Sequence, residues 1–289
     1  MRIISGETHD EERAFYGSRD LEVVECSFDG EADGESAFKE CRNISSVDCY
    51  FNLRYPFWHD DAVSIVGSNM TSLCRAALWY SSNIEVVSTN MHGTKALREC
   101  RDVTIRECDV ISDELGWYCN RLKITDSALS GSYMLMRSSD IEFSGVKQKG
   151  KYSFQYIENA VFESCDFDTK DAFWHAKNVV VRNSIVKGEY LAWYAENITF
   201  ENCIISGTQP FCYCKGLRLI NCEMHDCDLA FEKSDVLAEI TTPVISIKNP
   251  TSGKITVPSP CELILDDPSA CAEIVFASET SEEGARDAV

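Results

Sequence analysis

Residues 178–187 read NVVVRNSIVK and residues 197–206 read NITFENCIIS, so one pattern returns after 19 residues. Each copy begins with Asn and carries apolar residues at its second, fourth and ninth positions. An apolar period of two is typical of a strand with one buried face. The pattern therefore predicts short β-strands, and no helical periodicity competes with it.

The same unit recurs along most of the chain. Its starts are 19 residues apart from residue 83 to residue 216, and 19 to 23 residues apart before that. They lie at Asp20, Asn43, Ala62, Asn83, Asp102, Arg121, Asp140, Asn159, Asn178, Asn197 and Gly216, and the register continues to Asp235, Lys254 and Glu273. A further apolar column, which includes Phe57, Leu78 and Phe173, marks a third strand before each start. Fixed repeats of this kind stack into solenoids.

These columns predict an all-β fold, a single-stranded right-handed parallel β-helix of about 14 coils, because parallel crossovers favour the right hand. We expect residues 1–276 to form a single domain. Within it, residues 6–18 are predicted to be an N-terminal cap, and the proline-rich residues 235–276 to be degenerate C-terminal coils. Residues 277–289 are predicted to be a flexible acidic tail.

Charge limits the partners that the chain can have. It contains 27 Lys+Arg and 47 Asp+Glu, a formal net charge of −20. This charge disfavours nucleic acid and anionic membrane surfaces. No apolar run approaches the roughly 20 residues of a spanning helix, and the first residues lack a secretory apolar region. We therefore expect a soluble cytoplasmic protein that binds neither nucleic acid nor a membrane.

The 15 cysteines follow the repeat. Most lie six residues after a start or two residues before one, where other coils carry Ser, Thr or Ala. This placement predicts small inward-facing thiols at bends rather than disulfides. A zinc site is the less favoured alternative for one group that lacks paired C-x-x-C spacing, so no metal and no cofactor is predicted. That group comprises Cys212, Cys214, Cys222, His225 and Cys227.

Two columns of the third strand carry the candidate ligand-binding residues. One column holds all five tryptophans, Trp58, Trp79, Trp117, Trp174 and Trp193, together with Arg98. The next column holds His59, Tyr80, Glu99, Tyr118, Arg137, Tyr156, His175 and Tyr194. Because the preceding Phe/Leu column is uniformly apolar, we predict that it faces inward, that the tryptophans face outward, and that the Tyr/His/Glu column lies at the following bend. The reverse parity stays open.

Aromatic side chains mixed with Arg, Glu and His are typical of saccharide-binding surfaces. Stacked aromatic residues also stabilise a solenoid without any ligand, so a purely structural role is the alternative.

A second candidate site lies across the adjoining turn, where lysines of successive coils cluster. Lys151 and Lys170 are predicted to bind an anionic group of a glycan, unless they form only a solvated edge. Asp171 and Glu189 fall on adjacent coils, with backbones roughly 6 Å apart by the strand spacing. Two carboxyl groups at such a separation can act as general acid and base.

Several stretches of the chain resemble an uncharacterised bacterial family, domain of unknown function 3737, which belongs with the pectin-lyase-like right-handed β-helices. They are residues 33–40 (DGESAFKE), 53–59 (LRYPFWH), 150–156 (GKYSFQY), 169–175 (TKDAFWH) and 188–194 (GEYLAWY). The resemblance covers nearly the whole chain and implies the fold, but it brings no established activity. The wider superfamily contains polysaccharide lyases, glycoside hydrolases, esterases and epimerases. The acidic clusters of pectate lyases and the Asp motifs of polygalacturonases are missing from this sequence.

Together these observations predict a carbohydrate-binding or carbohydrate-active protein for a short saccharide, neutral or anionic. As an enzyme it would resemble a glycoside hydrolase or a polysaccharide lyase. The candidate catalytic residues are Glu99, Arg98, Arg137, His175, Asp171 and Glu189. The candidate substrate-binding residues are the five tryptophans with Tyr80, Tyr118, Tyr156, Tyr194, His59, Lys151 and Lys170. A non-enzymatic scaffold that binds a protein partner through its aromatic face is the alternative.

Overall fold

A computed structural model describes residues 1–30 and 34–277. The chain divides into two compact units, Met1–Gly150 and Lys151–Val289. Each unit is a stack of parallel strands, and the described residues make about 14 turns of an all-β, right-handed parallel β-solenoid. The predicted fold class is confirmed. The single domain over residues 1–276 stays a prediction, and the predicted tail lies outside the described residues except for Ala277.

The first unit contains three sets of parallel strands, one for each side of the coil. Its strands are β1 (Arg2–Ser5), β2 (Thr8–His9), β3 (Arg19–Val24), β4 (Ser27–Phe28), β5 (Phe38–Lys39), β6 (Arg42–Val47), β7 (Tyr50–Phe51), β8 (Phe57–Trp58), β9 (Asp61–Val66), β10 (Asn69–Met70), β11 (Leu78–Trp79), β12 (Ser82–Val87), β13 (Asn90–Met91), β14 (Leu97–Arg98), β15 (Arg101–Arg106), β16 (Asp109–Ile111), β17 (Asn120–Thr125), β18 (Ala128–Ser132), β19 (Ser139–Ser144) and β20 (Lys147–Lys151), which ends one residue past the unit boundary.

The second unit repeats two of these sides as strands and forms most of the third side from turns. Its strands are β21 (Glu158–Glu163), β22 (Asp166–Lys170), β23 (Lys177–Arg182), β24 (Ile185–Lys187), β25 (Glu196–Glu201), β26 (Ile204–Ser206), β27 (Leu217–His225), β28 (Asp235–Ile240), β29 (Ser246–Lys248), β30 (Ser252–Val257), β31 (Glu262–Ile264) and β32 (Glu273–Phe276). Among the described residues, no helix is long and apolar enough to cross a membrane.

Strand pairing follows the predicted spacing. In the first unit Ile84 pairs with Val63 of the preceding coil and Val103 of the following coil, 21 and 19 residues away. In the second unit Val181 pairs with Phe200, 19 residues away. The inward-facing columns therefore stack directly on one another.

The predicted cap and the predicted degenerate coils stay predictions, and the two ends of the described chain show the following contacts. Within residues 6–18, Phe15 N donates to Ala37 O (2.8 Å) and the Phe15 ring packs 5.3 Å from Phe38, so this segment contacts the next coil. Phe15 belongs to the Phe/Leu column, but the charged residues 10–13 that precede it make this difficult to recognise in the sequence. Near the other end, Asp235 pairs with Ser252 rather than with Lys254, because this coil is two residues shorter than the repeat.

Every start from Asp20 to Gly216 has a positive φ, which explains why Asn and Asp recur there. The angle is 54° at Asn43, 55° at Asn83 and 54° at Asn178. Short polar side chains tolerate this left-handed conformation better than other non-glycine residues do. Gly216 occupies the same column with φ 66°. The left-handed corner, by which we mean this positive-φ residue near the beginning of a long strand, is thus indicated by residue type in the sequence.

The cysteines act as small inward-facing donors, as their columns predict. Thirteen of the fifteen are buried, and all are free thiols. Cys108 Sγ donates to Val86 O of the preceding coil and to Arg106 O. Cys214 Sγ likewise donates to Ala192 O, and burial raises the pKa of this thiol to about 12. Thiols in such surroundings are poor nucleophiles and poor metal ligands.

One carboxyl group replaces a small residue in this interior. Asp60 is 2% exposed and lies two residues before a start, the column that holds Cys41 and Ser81 in the neighbouring coils. Its Oδ1 accepts a hydrogen bond from Cys41 N (2.7 Å), whereas Oδ2 is sealed from solvent without a partner. Burial raises the pKa of Asp60 to about 8.

We predict that Asp60→Ser stabilises the protein most at alkaline pH. An unfolded Asp has a pKa of about 3.9, so between that pH and about 8 the unfolded chain has released a proton that the folded chain retains. The free energy of unfolding therefore falls across this window, by up to about 1.4 kcal/mol per pH unit, and Ser removes the effect. Urea unfolding of both proteins at about pH 4.5 and about pH 8.5 measures the difference.

The matched control is Asp61→Ser. Asp61 lies next in sequence, and hydrogen bonds from Asn83 and Ser82 lower its pKa. Its replacement is expected to remove stability above the unfolded pKa, the opposite sign. Identical pH profiles for the wild type and Asp60→Ser would contradict the assignment.

Candidate functional site

The third side of the coil has the predicted parity. Phe57, Leu78 and Leu97 are completely buried, whereas Trp58 and Trp79 are half-buried on the outer surface. In the second unit Phe173 is buried and Trp174 is half-buried. The Phe/Leu column therefore faces inward and the tryptophans face outward.

The Tyr/His/Glu column lies at the bend that follows. Its residues have positive φ values, 60° at His59, 57° at Tyr80 and 51° at Glu99. This conformation turns the chain so that these side chains project outward, and Tyr80 is 38% exposed. The same column is left-handed at Tyr118, Arg137, Tyr156, His175, Tyr194 and Tyr213.

The tryptophans tie neighbouring coils together through their indole N–H groups. In the first unit Trp79 Nε1 donates to Lys95 O (2.7 Å) and Trp117 Nε1 to Tyr133 O (2.6 Å). In the second unit Trp174 Nε1 donates to Tyr190 O (2.7 Å) and Trp193 Nε1 to Gln209 O (2.8 Å). Each bond spans 16 residues and reaches the next coil. The column is therefore a structural element of the solenoid.

Two members of the column clarify this role. Gln155 donates through Nε2 to Asp171 O (3.2 Å), which is the bond that a tryptophan makes elsewhere. Trp58 is the exception, since its indole N–H is buried without a partner and its coil contains 21 residues. The hydrogen bond thus depends on the 19-residue spacing rather than on the indole itself.

In the second unit the bend residues stack face to face. The ring centroids of Tyr156 and His175 are 4.7 Å apart, those of His175 and Tyr194 are 5.0 Å apart, and those of Tyr194 and Tyr213 are 4.7 Å apart. All three interplanar angles are 10° or less. Burial lowers the pKa of His175. The rings cover one another's faces and present their edges to solvent.

In the first unit the guanidinium group of Arg98 lies between two aromatic rings of the tryptophan column. His59 and Tyr80 stack at 4.9 Å. The Arg98 guanidinium lies 5.2 Å from the Trp79 centroid and 5.5 Å from the Trp117 centroid, so it fills the space between the two indoles. Glu99 Oε1 is 3.8 Å from Arg98 Nε. Here too the ring faces are occupied by neighbours.

A turn of the second unit brings together the predicted carboxyl pair. Asp171 N donates to Glu189 O (2.9 Å), which places the two residues side by side on adjacent coils. Lys170 Nζ forms an ion pair with Glu189 Oε2 (2.6 Å) and lies 5.0 Å from the Tyr190 centroid. Lys151 Nζ lies 5.6 Å from the Tyr152 centroid. We call the set Tyr152, Lys170, Asp171, Glu189 and Tyr190 the Asp171 turn.

Asp171 is the unusual member of this turn. The residue is 5% exposed, and within the described part of the chain its carboxyl group has no hydrogen-bond or ion-pair partner. Burial raises its pKa, the charge of Lys170 opposes the rise, and the charge of Glu189 adds to it. The residue also has φ 55° in a column that carries Tyr152 and Tyr190 in the adjacent coils.

The predicted residues therefore fall into two sets, one in each unit. The first unit brings Arg98 and Glu99 together with Trp79, Trp117 and the neighbouring bend residues. The second unit brings Lys170, Asp171 and Glu189 together. Sequence reasoning missed the indole hydrogen bonds and the isolation of the Asp171 carboxyl. The isolation of the Asp171 carboxyl could have been suspected from the sequence, because Asp171 lies in a column that carries Tyr in the adjacent coils.

We predict that the tryptophan column contributes to stability. Trp193→Ala is expected to lower the free energy of unfolding by about 3 kcal/mol, because it removes ring packing and the bond to Gln209 O. Trp193→Gln, which introduces the residue found at Gln155, should recover about 1 kcal/mol by restoring that bond. Urea unfolding measures both variants, with Tyr50→Ala as a control for an exposed aromatic residue. Equal losses for Trp193→Ala and Tyr50→Ala would contradict a structural role.

Comparison with solved structures gives distant matches. The chain is 11% identical to a tailspike protein of E. coli bacteriophage HK620 in complex with a hexasaccharide, with 95% of this chain and 66% of that chain covered and a TM-score of 0.32. It is 10% identical to the periplasmic alginate epimerase AlgG, with 90% and 78% covered and a TM-score of 0.25. It is 11% identical to QnrB1, a plasmid-mediated fluoroquinolone resistance protein, with 76% and 92% covered and a TM-score of 0.21.

A search of curated proteins found no match. A family model matches residues 2–275, nearly the whole length, and agrees with the resemblance read from the sequence. The chain therefore belongs to the family described as protein of unknown function (DUF3737).

Proposed function

We propose that this protein binds a short saccharide at the Asp171 turn. The observation that carries the proposal is the Asp171 carboxyl group, which belongs to a residue only 5% exposed, has no protein partner among the described residues and is not sealed from solvent. Such a carboxyl group lacks the protein hydrogen bonds that most nearly buried polar groups make, yet it can be reached from solvent, and this combination calls for an explanation. A ligand hydroxyl that donates to this group, or accepts from it, supplies one.

The chemistry around Asp171 suits a polyhydroxylated ligand. Lys170 and Glu189 place one positive and one negative group beside it, 2.6 Å apart. The phenols of Tyr152 and Tyr190 can each donate and accept a hydrogen bond. Sugars are recognised by such convergent polar groups next to aromatic rings. The ammonium group of Lys170 also suits a uronate, which keeps an anionic saccharide within the proposal.

The aromatic columns have a different part in this proposal from the one that the sequence suggested. Their ring faces contact neighbouring rings or cations, which leaves little face area on which a sugar could stack. The exposed edges and hydroxyls of Tyr156 and Tyr194 can still hydrogen-bond a ligand that extends along the coils. In this proposal the tryptophans do not contact the ligand, and their indole hydrogen bonds hold neighbouring coils together.

The same turn carries a catalytic hypothesis. General acid–base catalysis needs two groups whose environments differ, and a carboxyl with a raised pKa beside an ion-paired carboxylate has that character. Asp171 would protonate the leaving oxygen as the glycosidic bond breaks, and Glu189 would take a proton from the water molecule that attacks the anomeric carbon and forms the new C–O bond. Glycoside hydrolysis is therefore the reaction class that we propose for the pair.

A protein-binding scaffold is the second candidate. The observation that favours it is the saturation of the ring faces, because a ladder whose faces are filled needs no ligand to be stable. Its exposed ring edges would then contact a protein partner.

A thermal-shift screen against neutral sugars and uronates tests the saccharide proposal. Binding to the folded state at 100 times Kd stabilises it by about 2.7 kcal/mol, so one class of sugar should raise the melting temperature clearly. Asp171→Tyr should abolish the shift while it preserves the fold, since Tyr is the residue of the adjacent coils. Asp166→Asn, an exposed change on β22, is the control and should keep the shift.

The outcomes separate the proposals. A shift that survives Asp171→Tyr would place the ligand elsewhere and overturn the assignment. Release of reducing sugar by the wild type and its loss in Glu189→Gln would support catalysis, whereas binding without turnover would leave a lectin-like function. No shift from any sugar, together with stable association with a second protein, would favour the scaffold.

A further inference from the structure

We propose that Arg98 forms a binding site for a small carboxylate in the first unit. The inference concerns a site other than the Asp171 turn and does not rest on the saccharide proposal. It starts from a guanidinium group that is held in place by aromatic rings but makes no hydrogen bond. The group is the one ionisable side chain in this column between Trp58 and Trp117.

The guanidinium group is fixed on both faces. Its carbon lies 5.2 Å from the Trp79 centroid, 5.5 Å from the Trp117 centroid and 5.9 Å from the Tyr118 centroid. Cation–π contacts on two sides restrict the plane of the group without using its N–H donors. The two indoles are themselves held by hydrogen bonds to Lys95 O and Tyr133 O. The fork is therefore preorganised.

The donors of this fork make no hydrogen bond within the protein, although the side chain forms an ion pair with Glu99. Within residues 1–30 and 34–277, the Arg98 side chain makes no hydrogen bond, and its Nε is sealed from solvent without a partner. The nearest carboxylate oxygen, Glu99 Oε1, is 3.8 Å from Nε, which is beyond hydrogen-bond distance. The side chain is 27% exposed. Because Nε is covered, the accessible donors are the terminal nitrogens Nη1 and Nη2.

This geometry suits a carboxylate. Two coplanar N–H groups match the two oxygens of a carboxylate in a bidentate pair. Phosphate can pair with an arginine fork as well, but phosphate and sulfate carry more charge than a monocarboxylate, and the neighbouring Glu99 disfavours multiply charged anions more than singly charged ones. A monocarboxylate is therefore the class that the site favours.

Packing alone does not require an arginine here. Met136 occupies the same column in the same unit, which shows that a neutral flexible side chain is accommodated between coils. Arginine instead places a positive charge and unused donors at the surface of a chain whose net charge is −20. A guanidinium group that is held between rings and keeps its terminal N–H donors at the surface is a candidate for recognition of an anion.

The test is a titration of the full-length protein with acetate and glucuronate, followed by NMR of the arginine Nε–Hε signals. The sealed Nε–H of Arg98 should exchange slowly with water, which distinguishes its signal from those of exposed arginines. We expect this signal to shift saturably with carboxylate. Arg98→Lys, which keeps the charge but loses the planar fork, should weaken binding at least about tenfold, equivalent to about 1.4 kcal/mol.

Arg98→Met, which introduces the residue found at Met136, should abolish binding, with its far-UV spectrum as a check of the fold. The matched control is Arg75→Met, because Arg75 lies 5.6 Å from the single ring of Tyr55 and is not enclosed between two rings. This control should bind carboxylate like the wild type. Inorganic phosphate and sulfate form the other arms of the titration and should bind more weakly.

Three results would overturn the proposal. They are an unsaturable shift shared by all arginine signals, equal affinity of the wild type and Arg98→Met, and phosphate binding as tight as carboxylate binding. The NMR titration of the wild type tests the proposal even if a variant fails to fold. Asp171→Tyr should leave the carboxylate response unchanged, so failure of one site is distinguishable from failure of the other.

Discussion

The left-handed corner at fixed positions of each coil is the constraint on which the rest of the structure depends. A positive φ costs a non-glycine residue on the order of 1 kcal/mol, and this chain adopts it several times in most of the coils between Asp20 and Lys233. The cost is offset only in the stack, because the amide groups at these corners donate across coils. In the second unit His175 N donates to Trp193 O (2.9 Å) and Tyr194 N to Cys212 O (3.0 Å). A single coil would bear the strain without these bonds, so the solenoid is stable only as an array.

The corner also determines what the aromatic residues can do. It projects one side chain per coil outward, and the strand spacing of about 4.8 Å then sets the distance between successive rings. The observed centroid distances of 4.7 to 5.0 Å are that spacing. Aromatic rings at this separation stack on each other, and their faces are consumed in doing so. The aromatic column, which the sequence suggests as a ligand-binding surface, therefore serves mainly to stabilise the stacking of the coils.

Much of the fold follows from the sequence because each column has one physical requirement. Alternation identifies the strands, Asn and Asp mark the corners, and the uniform apolarity of Phe57, Leu78 and their equivalents predicts the inward face. The repeat pattern is incomplete where the spacing changes or the column is difficult to recognise. The coil after Asp235 is two residues short, and Phe15 follows the charged residues 10–13. The hydrogen bond from Trp79 to Lys95 O links residues 16 apart, a spacing that apolar periodicity does not report.

Candidate sites are harder to predict from the sequence because they depend on the hydrogen-bond partners of each side chain, and the repeat pattern does not give those partners. Asp171 stands where adjacent coils carry Tyr, and Arg98 stands where they carry Trp, so both substitutions are visible in the sequence. Their isolation is visible only in three dimensions, where neither side chain finds a hydrogen-bond partner among the described residues. Natural sequences are locally consistent, and the places where a consistent pattern is broken without compensation are those expected to have a function. Lys170 illustrates the contrast, since its charge is matched by Glu189 at 2.6 Å and by itself explains nothing further. The repeat thus provides its own reference state, and the Asp171 carboxyl and the Arg98 guanidinium, which make no hydrogen bond and lie at the surface of their units, are departures from it among the described residues.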